Sequence, residues 1–198
     1  MIAIVDYKAA NLASVQKAIA HLGLDSKITT DPAFVRGAER IILPGVGHFS
    51  TLQRLQDSGL RDAISESIQK GIPFLGICVG MQWLFAGSTE APETPGLGLF
   101  EGMCEHFPSG VKSPHVGWND LQARGESKLL RDLPPEAFVY FTHSYRAPIT
   151  AGVVATTDYG SPFAAAVERD NVFGVQFHPE KSGAPGLQIL KNFCEAAC

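Results

Sequence analysis

The decapeptide Pro73 to Gln82, Pro-Phe-Leu-Gly-Ile-Cys-Val-Gly-Met-Gln, constrains this chain more than any other stretch. An apolar, partly β-branched run enters a turn in which Gly76 and Gly80 flank Cys78, and a helix-like segment follows. Strand, sharp turn and helix form the nucleophile-elbow pattern, with cysteine in place of serine. Small flanking residues let the chain turn sharply and hold the sulfur out at the top of a sheet. A helix starting near Val79 aims its positive end at that sulfur, which favours the anionic, reactive form of a thiol. The alternative for any single cysteine is a buried structural thiol; the paired glycines favour the reactive one.

A second stretch supplies what a thiol nucleophile needs. Val172 to Phe177 is almost continuously apolar, as expected of a strand buried on both faces. It ends in His178-Pro179-Glu180. Proline cannot continue a central strand and holds its predecessor extended, so His178 and Glu180 project to one side. Both Cys78 and His178 then sit at the C-terminal ends of strands, where open α/β sheets place their sites. Triad logic assigns attack to Cys78, proton transfer to His178, and orientation of the imidazole to Glu180. Acyl chemistry also needs oxyanion donors. The N–H of Val79 is one; Gly45 and Val46, in Pro44-Gly45-Val46-Gly47, are candidates for the second. His115 and His143 lack a nearby carboxylate in sequence and read as structural or substrate-lining. Cys194 and Cys198 are four apart, but no Cys or His spacing elsewhere suits zinc, so no metal is expected. Cys194 is read as packing on an apolar face and Cys198 as fraying.

The first ~85 residues alternate strand and helix, which implies a parallel sheet covered on both faces. The strands are read at Ile2 to Val5, Asp25 to Thr29 and Arg40 to Leu43, the third stopped by Pro44-Gly45-Val46-Gly47, and in the apolar run from Pro73 into the Cys78 turn. Helices are read from about Asn11 to His21, and from Leu52 to Lys70 with a break at Ser58-Gly59. Later β-like runs at Trp118 to Gln122, Phe138 to Phe141, Val153 to Thr157 and Phe163 to Val167 are expected to add antiparallel strands to the same sheet. Gly186 to Cys194 closes the chain as a helix. The 198 residues fit one domain, 1–198, and 45% hydrophobic against 18% charged is a globular balance, not a disordered one. A net charge of −4 without a Lys/Arg cluster argues against nucleic acid. Gly71 to Thr89 is uncharged and long enough to span a bilayer, but its proline and glycines read as strand, turn and helix, so no membrane is expected. The N-terminus lacks a signal-peptide pattern and the cysteines lack a disulfide framework, which points to the cytoplasm.

Gly-Ile-Cys-Val-Gly-Met-Gln, Pro-Gly-Val-Gly and His-Pro-Glu together resemble the class I, triad-type glutamine amidotransferases. Three longer stretches narrow the resemblance: His178 to Gly183, Pro114-His115-Val116-Gly117-Trp118-Asn119, and Tyr140 to Tyr145. They are similar to the glutaminase subunits of imidazole glycerol phosphate synthases, and the likeness runs the length of the chain. It implies a flavodoxin-like three-layer αβα sandwich around a mostly parallel mixed sheet. It also implies cofactor-free hydrolysis of L-glutamine, with ammonia passed to a (β/α)8-barrel cyclase partner in a heterodimer of histidine biosynthesis. By the same comparison Gly47, Gln82, Ser144 and Tyr145 hold glutamine, while Trp118, Tyr140 and Lys181 lie toward the partner. A glutaminase of pyridoxal phosphate or anthranilate synthesis would keep the triad without the His-x-Gly-Trp-Asn stretch. A stand-alone cysteine hydrolase would show no partner dependence, and a non-catalytic relative would not need all three triad residues. One departure stands out: relatives usually carry glycines after the first strand, where this chain has Lys8-Ala9-Ala10, so a positive φ there would be unfavourable.

Overall fold

The computed structural model describes residues 1–8 and 11–196. Its strands, in chain order, are β1 (Ile2–Val5), β2 (Ser26–Thr29), β3 (Arg40–Gly45), β4 (Phe74–Cys78), β5 (Gly87–Ser88), β6 (Met103–His106), β7 (His115–Asp120), β8 (Gln122–Ala123), β9 (Phe138–His143), β10 (Tyr145–Arg146), β11 (Val153–Asp158), β12 (Pro162–Arg169) and β13 (Val172–Val175). The helices are α1 (Leu12–His21), α2 (Pro32–Arg36), α3 (Gln53–Asp57), α4 (Leu60–Gln69), α5 (Val79–Gln82) and α6 (Gly183–Glu195).

The large sheet has the order β2-β1-β3-β4-β13-β12-β11-β8. From β2 to β13 every pairing is parallel, and β12, β11 and β8 continue it antiparallel. The central strands β1, β4 and β13 are buried at every residue, which explains their unbroken apolar sequences. Helices cover the sheet: α1 touches α6, and α2 and α3 touch α4. Helix α4 buries Leu60, Ala63, Ile64 and Ser67, the spacing of one helical face. The α/β class and the large mixed sheet are as the sequence implies.

Several local expectations change. Strand β3 runs through Pro44 to Gly45, because Pro44 and Gly45 still pair with Ile77 and Cys78. Helix α2 is absent from the periodicity reading: its five residues are too few to show a period, although Asp31 caps it by accepting from the Ala33 N–H at 2.8 Å. Of the Trp118 to Gln122 run only Gln122, in β8, pairs with the large sheet; its first residues and the Phe138 run do not. They form β7 and β9, a separate two-stranded antiparallel ribbon. Lys8 does adopt a positive φ of 65°, and the Asp6 carboxylate steadies it by accepting from its backbone N–H at 2.7 Å. Ala9 and Ala10, the rest of that turn, lie outside the described residues, as does Cys198. Gly71 to Thr89 is divided among β4, α5 and β5, and among the described residues no helix is long and apolar enough to cross a membrane.

One buried polar side chain ties α6 to the loop after β8. Asn192 Nδ2 donates to the carbonyls of Leu129 (2.9 Å) and Arg131 (2.7 Å), and its Oδ1 accepts from Gln188 Nε2 at 2.8 Å. Asn192→Ala would strand the buried Leu129 carbonyl and unpair the half-buried one of Arg131. A loss of about 2 kcal/mol or more is expected, read from the midpoint of urea unfolding.

Candidate active site

The site forms where β4 meets β13. Their register pairs Gly174 with Gly76 and Val175 with Ile77, so both chains leave the sheet side by side. This adjacency closes the 100-position gap between Cys78 and His178.

Cys78 has φ 53° and ψ −110°, a strained conformation for a residue with a side chain. The strain thus sits on the cysteine itself, and its two glycine neighbours serve a different purpose. A Cβ on Gly76 would lie 2.4 Å from the Gly80 carbonyl oxygen, and one on Gly80 would lie 2.0 Å from that of Leu43. The glycines are needed because α5 begins pressed against the ends of β3 and β4. At four residues α5 is short, and the Val79 N–H, at its first position, has no acceptor within the helix.

His178 Nδ1 lies 2.9 Å from Glu180 Oε1, with both side chains almost fully buried. Glu180 can only accept when ionised, so the imidazole donates from Nδ1. His178 Nε2 has no hydrogen-bond partner among the described residues and remains free for proton transfer. Burial disfavours the imidazolium, but the neighbouring Cys78 sulfur and the Glu180 carboxylate outweigh it, and the pKa is pushed up from 6.5 to about 9. Burial pushes the Cys104 thiol well up and that of Cys194 up to about 11.

Cys78 opens onto a cavity of about 320 Å³ lined by Val46, Gly47, Val79, Gln82, Ser144 and Tyr145, among others. All four residues expected to hold glutamine therefore share a cavity with the sulfur. Gln82 Nε2 already donates to the Tyr145 carbonyl (2.9 Å) and to Gln176 Oε1 (3.0 Å), which leaves its carbonyl oxygen for a ligand.

A thiol on a strained elbow, an imidazole–carboxylate pair beside it and a small adjoining cavity are parts of a cysteine acyl-transfer site. The family model for glutamine amidotransferase class-I matches residues 3–197. The chain belongs to the class-I glutamine amidotransferases. Curated relatives of this amidotransferase include imidazole glycerol phosphate synthase subunit HisH of Moorella thermoacetica, 47% identical over 98% of this chain and 94% of that one. The subunit HisH of Thermococcus kodakarensis is 48% identical over 98% of both chains. In fold, the chain is similar to a crystal structure of a glutamine amidotransferase, with a TM-score of 0.76 at 21% identity over 98% of this chain and 100% of that one. It is also similar to PurLQS from Thermotoga maritima, with a TM-score of 0.75 at 22% identity over 98% and 96% of the two chains.

Around the amidotransferase site, Gly45 and Gly47 differ in kind. Gly45 pairs with Cys78 inside the sheet, and a Cβ there would lie 2.6 Å from the Tyr7 hydroxyl. Its glycine serves close packing. Gly47 has φ 94°, a left-handed conformation that favours glycine, with open space where a Cβ would be. His115 and His143 are buried together. His115 Nδ1 lies 3.2 Å from His143 Nε2, and His143 Nδ1 lies 2.8 Å from the Tyr145 carbonyl. Burial pushes their pKa values down to about 4 and about 3, so both are neutral near pH 7. His143 lines the cavity.

Trp118, Tyr140 and Lys181 lie away from the cavity and cluster together. The Trp118 and Tyr140 ring centroids are 6.0 Å apart, and Lys181 Nζ lies 5.8 Å from the Tyr140 centroid. On the ribbon of β7 and β9, Val116, Trp118 and Phe138 are 56%, 56% and 51% exposed, while the alternate residues His115, Val139, Phe141 and His143 are buried. The result is an exposed apolar sheet face. Tyr140 is also tied to the site, because its carbonyl accepts from the His178 N–H at 2.9 Å.

Sequence reasoning missed Gln176, whose Nε2 lies 3.6 Å from Cys78 Sγ, and the Thr142 carbonyl, 3.9 Å from the same sulfur. The signal for Gln176 was a lone polar residue in the apolar run Val172 to Phe177.

The raised pKa of His178 makes a pH prediction. The native state binds this proton more tightly than the unfolded chain does, so its contribution to stability is fully present below pH 6.5 and is lost as pH rises through about 9. Glu180→Gln removes one of the groups that raise the pKa. Calorimetry should therefore show the wild type more stable than Glu180→Gln at pH 6, with the gap narrowing steadily toward pH 9. A constant gap would contradict the assignment.

Proposed function

We propose that this chain is the glutaminase subunit of an imidazole glycerol phosphate synthase, a cytoplasmic enzyme of histidine biosynthesis, and that it works as a heterodimer with a (β/α)8-barrel cyclase subunit. The observation that carries the chemistry is the Cys78 elbow beside the buried His178–Glu180 pair at the mouth of the cavity. The relatives named as subunit HisH support the choice of synthase.

The Cys78 thiolate attacks the carboxamide carbon of L-glutamine. The tetrahedral oxygen receives the Val79 N–H and a second N–H from the Val46–Gly47 segment. Collapse breaks the C–N bond, and the His178 imidazolium gives its proton to the departing ammonia, leaving a glutamyl thioester on Cys78. Water then attacks the thioester while His178 Nε2 takes its proton. The sulfur leaves as thiolate, glutamate is released, and the imidazolium is restored. Glu180 holds the tautomer throughout. The Gln82 carbonyl oxygen suits the substrate ammonium, with Gly47, Ser144 and Tyr145 completing the cavity. No cofactor is required.

The exposed face of Val116, Trp118, Phe138 and Tyr140, with Lys181 at its edge, is the natural seat of the cyclase. Ammonia freed into water near pH 7 is protonated and lost as a nucleophile, so unpartnered hydrolysis wastes glutamine. Rotation of the Val46–Gly47 peptide offers a switch: one orientation withholds the second oxyanion donor and the other supplies it. Docking of the loaded cyclase biases that equilibrium. The test is steady-state glutamine hydrolysis by the chain alone, with cyclase, and with cyclase plus its nucleotide substrate. The chain alone should be slower than the loaded complex by about 10²–10³, the worth of one oxyanion donor. Equal rates would sink the switch and leave the triad assignment standing.

A further inference from the structure

We propose that Gln176 is a positioning residue for the nucleophile: its side-chain amide donates a hydrogen bond to Cys78 Sγ, and Gln82 and the Tyr145 carbonyl fix the direction of that donor. This inference rests on the reading of Cys78 as nucleophile.

The direction of this donor follows from one atom whose role is unambiguous. The Tyr145 backbone carbonyl can only accept, so the end of the Gln82 amide that meets it at 2.9 Å must be the –NH2. The same –NH2 reaches Gln176 at 3.0 Å, so the Gln176 atom facing it must be the carbonyl oxygen. The opposite end of that amide, its own –NH2, is then turned toward Cys78 Sγ at 3.6 Å. Two amide orientations follow in succession from one carbonyl, and the outcome is an N–H aimed at sulfur. Gln176 is fully buried, and the polar neighbours that specify it are Gln82 and Cys78.

A donor at sulfur favours the thiolate over the thiol, whereas the Thr142 carbonyl, 3.9 Å away, can only accept and favours the thiol. The amide also limits where the sulfur can move on its strained elbow. The titratable groups around Cys78 are His178 with Glu180 on the turn after β13, Tyr7 after β1, His143 at the end of β9, and Glu90 across the cavity. Gln176 is uncharged, so it acts on the sulfur as a fixed dipole at all pH values.

The experiment uses the chain in complex with its cyclase and follows alkylation of Cys78 by iodoacetamide against pH, with peptide mapping to locate the label. Gln176→Met keeps bulk and removes the donor. Gln176→Glu keeps the shape and the acceptor facing Gln82 but replaces the donor by a carboxyl oxygen. In both variants the alkylation midpoint should move up by about one to two pH units, and kcat for glutamine should fall about 10–100-fold with a smaller change in KM. A purely structural role would lower activity and leave the midpoint in place, and that result would overturn the proposal. A measurement on the wild type covers the case in which neither variant folds. The Gln176 side-chain NH2 resonances of ¹⁵N-labelled protein should titrate together with the thiolate absorbance near 240 nm. Resonances that stay fixed while the thiolate titrates would overturn it equally. The underlying reading fails separately: it falls if protein fully alkylated at Cys78 still hydrolyses glutamine.

Discussion

Cys78→Ala and His178→Ala should each lower glutamine hydrolysis by the complex by roughly 10⁴–10⁶ while leaving the fold intact. Without the sulfur no thioester forms. Without the imidazole nothing protonates the leaving ammonia or deprotonates the attacking water. Loss of either group should cost about as much as loss of both, because they act as one unit. Glu180→Gln should cost less, since an oriented imidazole is partly preserved. External ammonia should still support the cyclase reaction in every variant, because that reaction does not use these side chains. A diazo-ketone analogue of glutamine should label Cys78 and abolish ammonia release, whereas Cys104, buried and held protonated, should stay unlabelled. Labelling of Cys104 with loss of activity, or near-wild-type turnover by His178→Ala, would refute the assignment.

Gly80→Ala should be among the most damaging single-methyl changes in the molecule. The added carbon would lie 2.0 Å from the Leu43 carbonyl oxygen and 3.1 Å from its carbonyl carbon. Both are backbone atoms of β3, so no side chain can rotate away. Either α5 lifts off the sheet, which displaces Cys78, or β3 and β4 separate in the middle of the core. A loss of about 3 kcal/mol or more is expected, or roughly 6–12 °C in Tm for a chain of this size. Gly37→Ala is the control. Its nearest neighbours are backbone oxygens at 3.8 Å and its φ is −94°, so a Cβ meets only ordinary contacts. Its Tm should stay within about 2 °C of wild type. Equal effects from the two substitutions would show that the close approach at Gly80 is not what the fold requires.

Sequence alone determined the features whose physics is local. Buried parallel strands need apolar residues on both faces, so β1, β4 and β13 appear as unbroken runs. Helix α4 repeats its buried positions at helical spacing, and the Ser58-Gly59 break before it is written in the residues. Proline after His178 ends a strand wherever it stands. Gly-x-Cys-x-Gly marks the elbow as a pattern, although the reason for its glycines is not local.

Tertiary structure decided everything that depends on which elements become neighbours. The exposed ribbon of β7 and β9 leaves the large sheet although its strands look like those of β11 and β12, because strand propensity does not encode a partner. Gly45, Gly76 and Gly80 resemble flexible turn residues in sequence. In space they are contact points where a Cβ would strike the Tyr7 hydroxyl, the Gly80 carbonyl and the Leu43 carbonyl. Gln176 shows the limit most sharply. As one letter it is a polar residue in an apolar strand. Its place beside the nucleophile exists only because β13 lies next to β4 and the Tyr145 carbonyl reaches Gln82. Hydrogen-bond direction is passed from group to group through space, and residues 78, 82, 145 and 176 meet only once the sheet has formed.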